Sequence, residues 1–194
     1  MSENFVHLAS GSPRRRELLN QIGVPFQVLQ VSIDESVLPG EPAEAYVERL
    51  ARLKAAAGWK IRPASPDAPV LAADTTVILD GRILGKPVDA VQGQRMLLEL
   101  SGRTHAVLTA IALATSAGVQ SRVSRSEVTF RRITAGEALD YWNTGEPKDK
   151  AGAYAIQGRA AVFIQDLRGS YSGVMGLPLY EMAGILAHIG FPVL

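Results

Sequence analysis

Three consecutive arginines, Arg14, Arg15 and Arg16, follow directly on the small-residue turn Ser10-Gly11-Ser12 and on Pro13. Ser12 is a good helix N-cap, and Pro13 is a good first helical residue because the N–H it lacks would have no partner there. Cations in a first helical turn face the positive end of the helix dipole, which becomes favourable only when an anion joins them. A strand, a glycine-containing turn and a helix N-terminus present unpaired backbone N–H groups outward, and phosphate is the anion they suit. A solvated basic turn would be the plainer explanation of an isolated arginine triplet; the glycine turn beside it favours the phosphate.

Other polar residues stand at expected strand ends and in loops. The cations are Lys54, Lys86 and Lys148 or Lys150, and the carboxylates are Asp34, Glu35, Asp74 and Asp149. Cations together with a helix N-terminus suit a triphosphate. Carboxylates in the same neighbourhood suit Mg²⁺ or Mn²⁺, which take oxygen ligands and bridge to phosphates. The combination fits metal-assisted hydrolysis, with the metal polarising a phosphoryl oxygen and a carboxylate activating water. His7, His105 and His188 are too scattered for a metal cluster, and His7 and His188 are expected to be structural. Neither GxxxxGK[ST] nor GxSxG occurs, so a P-loop and a nucleophile elbow are excluded.

The elements that must hold these residues alternate between strand and helix. Residues 5–9 read as a buried strand, residues 13–22 as a helix closing near Gly23, and residues 26–33 as a second strand that runs into Asp34-Glu35. Pro42 opens a helix with Tyr46, Leu50, Leu53 and Ala57 on one face and Lys54 at its edge. Residues 62–69 form a proline-rich surface connection. An apolar strand over 70–73 stops at Asp74, where open α/β sheets place their ligands. Residues 75–79 continue extended, Asp80-Gly81 makes a two-residue hairpin turn, and 82–84 return. Asp89 caps a helix with Met96, Leu97 and Leu100 inward. Strands follow over 104–115 and 119–133, the first central and the second nearer an edge. Thr134 and Glu137 form a capping box. The tract from Glu146 to Gly158 is charged, then small and aromatic, and is expected to be a ligand wall. A strand over 162–167, a loop over 170–176 and a helix from Pro178 complete the chain.

At 194 residues, the length suits one α/β domain with a sizeable core. The composition, 47% hydrophobic and 20% charged, is that of an ordinary globular protein. A net charge of +1 gives no global attraction to nucleic acid or membrane, so any polyanion chemistry must come from a local cluster. The absence of cysteine removes disulfides, thiolate catalysis and zinc–cysteine sites. With no basic segment followed by a long apolar run, and no stretch of about 18 apolar residues, neither a signal peptide nor a membrane span is expected, and the cytoplasm is the default.

Four segments, LASGSPRRRELL, AADTTVILDGRILGKP, DKAGAYAIQG and GLPLYE, occur in this order and closely resemble the Maf family of nucleotide pyrophosphatases. The resemblance covers nearly the whole chain from about Val6. It implies an α/β fold like that of the inosine-triphosphate pyrophosphatases: a long twisted mixed sheet flanked by helices, in one domain over residues 1–194 with two lobes around a central cleft. It further implies a homodimer, a divalent metal (Mg²⁺ or Mn²⁺), and hydrolysis of a nucleoside triphosphate to the monophosphate and pyrophosphate.

By the same resemblance Asp74 matches the catalytic base. Ser10, Ser12, Arg14 and Arg15 match the phosphate-binding loop, with Lys54 and Lys86 expected on phosphate oxygens. Glu35 and Asp149 are expected near the metal with Asp74. Arg14, Thr75 and Gln157 are like the positions that mark the branch acting on dTTP and UTP; the branch acting on 7-methyl-GTP carries tryptophan, glutamine and glutamate there. The chemistry agrees, since tryptophan can stack on a cationic methylated base whereas a glutamine amide can pair with the O4/N3–H edge of a uracil-like ring. Two alternatives follow: a 7-methyl-GTP pyrophosphatase, or a non-catalytic nucleotide-binding regulator of cell division.

Overall fold

The apolar runs at residues 6–8, 70–79 and 104–115 form the inner strands of one mixed sheet, with the helices drawn from the segments between them. In the computed structural model, which describes residues 5–63 and 68–193, the strands are β1 (Val6–Leu8), β2 (Phe26–Val28), β3 (Val70–Leu79), β4 (Arg82–Leu84), β5 (Thr104–Thr115), β6 (Gly118–Phe130) and β7 (Ile164–Arg168). The helices are α1 (Pro13–Gln21), α2 (Ala43–Ile61), α3 (Ala90–Leu100), α4 (Ala135–Asn143), α5 (Tyr171–Met175) and α6 (Leu179–Ala187). The sheet has seven strands in the order β2-β1-β3-β5-β6-β7, and β4 pairs with β3. β1 runs parallel to both β2 and β3, whereas β4 and β7 pair antiparallel with β3 and β6. The mixed α/β class expected from the sequence is thus present. Part of the connection expected over residues 62–69 lies outside the described residues.

The chain divides into two units. The first comprises residues up to Asp74, Thr109–Ser124 and Gly176 onward; the second comprises Thr75–Leu108 and Arg125–Met175. In the first unit α2 lies close on the sheet at Gly58, where a Cβ would stand 2.8 Å from Val70 Cγ1 and 3.0 Å from Ala9 Cβ. The inward face of α2 is Val47, Leu50, Ala51, Ala55 and Gly58. It is rotated from the expected Tyr46, Leu50, Leu53 and Ala57, and Leu53 is 42% exposed. Small residues win the inward positions because they let the helix approach the strands closely. Lys54 consequently belongs to the inner face and not to its edge.

The second unit is built on an apolar core of Val77, Leu79, Leu84, Leu97, Leu100, Val128, Phe130, Tyr154 and Phe163, among others. Aromatic rings meet edge to face within it, Phe130 with Tyr154 at 4.9 Å and Tyr141 with Phe163 at 5.5 Å between centroids, a geometry that places the positive ring edge on a negative face. Asp89 caps α3 by accepting from the Gln92 N–H at 2.8 Å, and the Thr134/Glu137 capping box opens α4.

Three expectations about the elements are corrected. β2 ends at Val28 instead of continuing to residue 33. Its partner β1 ends at Leu8, and the pairing closes with the Leu29 N–H donating to the Leu8 carbonyl. β3 does not stop at Asp74 but runs through it to Leu79. β6 lies nearer an edge than β5, as expected, with β7 pairing along its outer side. Residues 171–175 form the short helix α5 and not a loop, opened by the Ser170 side chain, which accepts from the Gly173 N–H at 2.9 Å.

Candidate active site

In the first unit a mixed-charge cluster gathers at three elements: the turn between β1 and α1, the inner face of α2, and the middle of β3. The turn is shaped by Ser10, whose buried hydroxyl accepts from the Ser12 N–H at 3.2 Å and from Arg15 Nη1 at 2.9 Å. Arg15 is tied at its other edge, Nε donating to the carbonyl of Gly176 at 2.8 Å. Its guanidinium is desolvated, which lowers its pKa to about 10, while Asp74 and Glu35 act on it in the opposite sense; it remains a cation at neutral pH. Arg14 is half-buried beside it, and Arg16 points outward. Ser12 occupies the N-cap position of α1, but its side chain makes no capping bond.

Lys54 is the centre of the cluster. Its ammonium lies 2.7 Å from Glu35 Oε1 and 2.7 Å from Asp74 Oδ1. Asp74 reaches this point because β3 runs on through it, so its side chain projects sideways from a central strand. Glu35 comes from the irregular segment after β2, which α2 holds in place. Tyr46 OH donates to the Glu35 carbonyl at 3.0 Å, and Arg49 Nη2 donates to the Ser36 carbonyl at 2.9 Å and to Glu41 Oε2 at 2.7 Å. Tyr46 was expected only on the apolar face of α2, and Arg49 was not singled out from the sequence. Their place on the helix was legible, but their function depends on a loop whose path was not.

The second unit carries the remaining candidates. Thr75 is half-buried on β3 and Lys86 is exposed after β4. The loop with Lys86 and the tract after Asp149 are joined by the Gly152 N–H donating to the Gly85 carbonyl at 3.1 Å. Gly152 sits at φ +67°, where a Cβ would press on Val77, so glycine is required on both counts. Asp149 is exposed and pairs with Lys150 at 3.0 Å. Gln157 is exposed at the crest of a turn closed by the Gly158 N–H to the Ala155 carbonyl at 3.0 Å. Among the described residues no group of three His, Asp or Glu side chains is placed to hold a metal ion; the carboxylates that share a cation are the pair Glu35 and Asp74.

A family model described as Maf-like protein matches residues 5–189 of the chain. The chain belongs to the Maf-like family. Curated relatives span it almost end to end. The dTTP/UTP pyrophosphatase of Aromatoleum aromaticum is 53% identical, over 97% of this chain and 97% of that protein. The dTTP/UTP pyrophosphatase of Chromobacterium violaceum is 50% identical, over 98% and 97%. That of Methylococcus capsulatus is 54% identical, over 94% and 90%.

In this Maf-like chain the arrangement of the first unit can do two things at once. The serine turn, α1 N-terminus and arginines form a cationic cradle, and Lys54 keeps two carboxylates close together next to it. A carboxylate is a group that can accept a proton from water, and an oxygen-only donor pair is what hard divalent cations select. Among the described residues, no helix is long and apolar enough to cross a membrane.

Proposed function

We propose that this chain hydrolyses dTTP and UTP to the nucleoside monophosphate and pyrophosphate. The observation that carries the reading is the Lys54 ammonium bridging Glu35 and Asp74 at 2.7 Å each, in the same unit as the Ser10–Arg15 turn. It is supported by relatives bearing that name at 50–54% identity.

Asp74 is the base. It takes a proton from water as the water oxygen attacks the α-phosphorus, and the bond from the α-phosphorus to the bridging oxygen breaks, releasing pyrophosphate. Ser10, Ser12, Arg14, Arg15 and the backbone N–H groups at the start of α1 hold phosphate oxygens, as do Lys54 and Lys86. Arg14, Thr75 and Gln157 read the base, the Gln157 amide offering a donor and an acceptor to the O4/N3–H edge of uracil or thymine. Hydrogen bonds to that edge discriminate once a bound base shields them from water, because a wrong base leaves groups unpaired.

The donor chemistry fits Mg²⁺ or Mn²⁺: Glu35 and Asp74 already share one cation, Lys54, and a hard divalent ion is typically held by one or two carboxylates plus substrate phosphates. Glu35 and Asp74 would hold it; Asp149, expected with them from the family resemblance, belongs to the second unit and pairs with Lys150. When bound, the ion neutralises phosphate oxygens and polarises the phosphorus towards attack. The homodimer implied by the family resemblance and the cytoplasmic setting expected from the sequence belong to the same proposal, and sedimentation of the purified chain tests the former.

Phosphorus NMR with UTP, dTTP or 7-methyl-GTP, with and without Mg²⁺ or Mn²⁺, tests the reading. The expected products are UMP or dTMP with pyrophosphate, only when metal is added. Nucleoside diphosphate with orthophosphate would place attack on the γ-phosphorus and overturn the assignment. Turnover mainly of 7-methyl-GTP would overturn the specificity alone. Binding without turnover would make the chain a regulator.

A further inference from the structure

The turn that carries Gln157 is held from below by a pair of side chains outside the proposed site. Tyr141, buried on α4, donates from its hydroxyl to Glu146 Oε1 at 2.6 Å, and its hydroxyl oxygen accepts the Ala155 N–H at 3.1 Å. The other oxygen of the same carboxylate, Glu146 Oε2, accepts the Arg159 N–H at 3.0 Å. The two ends of the Ala155–Arg159 turn are thus fixed to one hydrogen-bonded pair, with Gln157 midway between them. Gly158 leaves the space this needs: a Cβ there would stand inside the Glu146 carboxylate. Tyr141 is itself locked by its edge-to-face contact with Phe163. Its phenol is held far above the usual tyrosine range by burial, and next by the hydrogen bond with Glu146, so it stays a protonated donor.

We propose that Tyr141 and Glu146 are positioning residues for base selection, acting through the Ala155–Arg159 backbone to fix where the Gln157 amide is presented. This inference rests on the base-reading role proposed above for Gln157. A two-point clamp on a turn limits the orientations of the residue at its crest, and selectivity by hydrogen bonding needs its donor and acceptor held to within a few tenths of an ångström.

UTP and CTP differ only at the edge Gln157 would read, so the ratio of their kcat/KM values is the readout. Four proteins are compared, with thermal unfolding as a check on folding: the wild type, Gln157→Ala, Tyr141→Phe, and Tyr141→Phe combined with Gln157→Ala. Tyr141→Phe keeps the ring in its packing and removes only the hydroxyl. The expected result is a preference for UTP in the wild type that falls roughly tenfold in Tyr141→Phe, mainly through KM for UTP. It falls at least as far in Gln157→Ala and no further in the double variant, because the clamp acts only through Gln157. Glu146→Gln retains one of the two acceptor bonds and is expected to fall between wild type and Tyr141→Phe. A general structural role would instead lower turnover of both nucleotides together and add to Gln157→Ala. If Gln157→Ala keeps the wild-type ratio, or the wild type has no preference, the base-reading role fails and the clamp with it. If Gln157→Ala abolishes the preference while Tyr141→Phe and Glu146→Gln keep it, the clamp alone is overturned.

Discussion

Lys54 Nζ and Asp74 Oδ1 meet at 2.7 Å, with the two side chains only 13% and 12% exposed. One comes from the inner face of a helix and the other from the middle of a central strand, so the pair joins the two layers of the first unit. A largely buried carboxylate needs such a partner, because leaving a charge unpaired away from water is costly.

Removing the cation exposes that dependence. Lys54→Met leaves Asp74 without its ion pair and is expected to lower stability by about 1–3 kcal/mol, measured by urea unfolding. Lys54→Met with Asp74→Asn should recover part of that loss, because a neutral amide is cheaper to leave in place than a charge. Equal losses in the single and double variants would show that the pair contributes nothing net.

Asp74→Asn separates chemistry from fold. The amide oxygen still accepts from Lys54, so the unfolding midpoint should stay near the wild-type value. It cannot take a proton from water, and turnover of UTP is expected to fall by about 10²–10⁴-fold in a pyrophosphate-release assay. A variant with near-full turnover would remove Asp74 from the role of base.

His105 predicts a pH dependence of stability. It is buried in the second unit, hydrogen-bonded to Tyr154 OH at 2.8 Å and packed edge-on against Phe130. Burial lowers its pKa from 6.5 to about 4. Between those two values the unfolded chain binds the proton and the folded chain does not, so stability rises with pH across that window. The contribution is complete above pH 6.5 and is lost as pH falls towards 4, amounting to about 3 kcal/mol at most. Urea midpoints of the wild type and His105→Gln, compared between pH 7.5 and 4.5, should show a steeper fall for the wild type. Parallel curves would mean that His105 titrates normally.

Gly93 marks the crossing of α3 and α4. A Cβ there would stand within the Trp142 ring. Gly93→Ala is expected to cost about 1–3 kcal/mol by overpacking, seen as a lower Tm, despite alanine's better helix propensity. Combining it with Trp142→Leu should return part of the loss; no recovery would place the damage elsewhere.

Features encoded over a few residues were legible in the sequence. The Asp80-Gly81 hairpin, the Asp89 cap and the Thr134/Glu137 capping box each depend on neighbours within four positions, and each is present. The errors came where a distant partner decides. β2 stops with β1, and α2 turns its small residues inward because the strands beneath it come close. Gly158 and Glu146 are 12 residues apart, and no local rule joins them.

By itself the sequence determined the residue chemistry of this protein: a serine and arginine turn at a helix start, lysines and carboxylates at strands and loops, and no thiol. It also determined the order of helices and strands apart from the short α5, through periodicity and caps that act within a turn or two of chain. Only the tertiary structure decided that Lys54 bridges Glu35 and Asp74, that Arg15 is clasped between Ser10 and Gly176, and that Tyr141 and Glu146 hold the turn bearing Gln157. The physical reason is one of range. Propensity and capping are settled among neighbours along the chain, whereas a charge or a buried hydroxyl finds its partner only after the sheet has brought remote segments together.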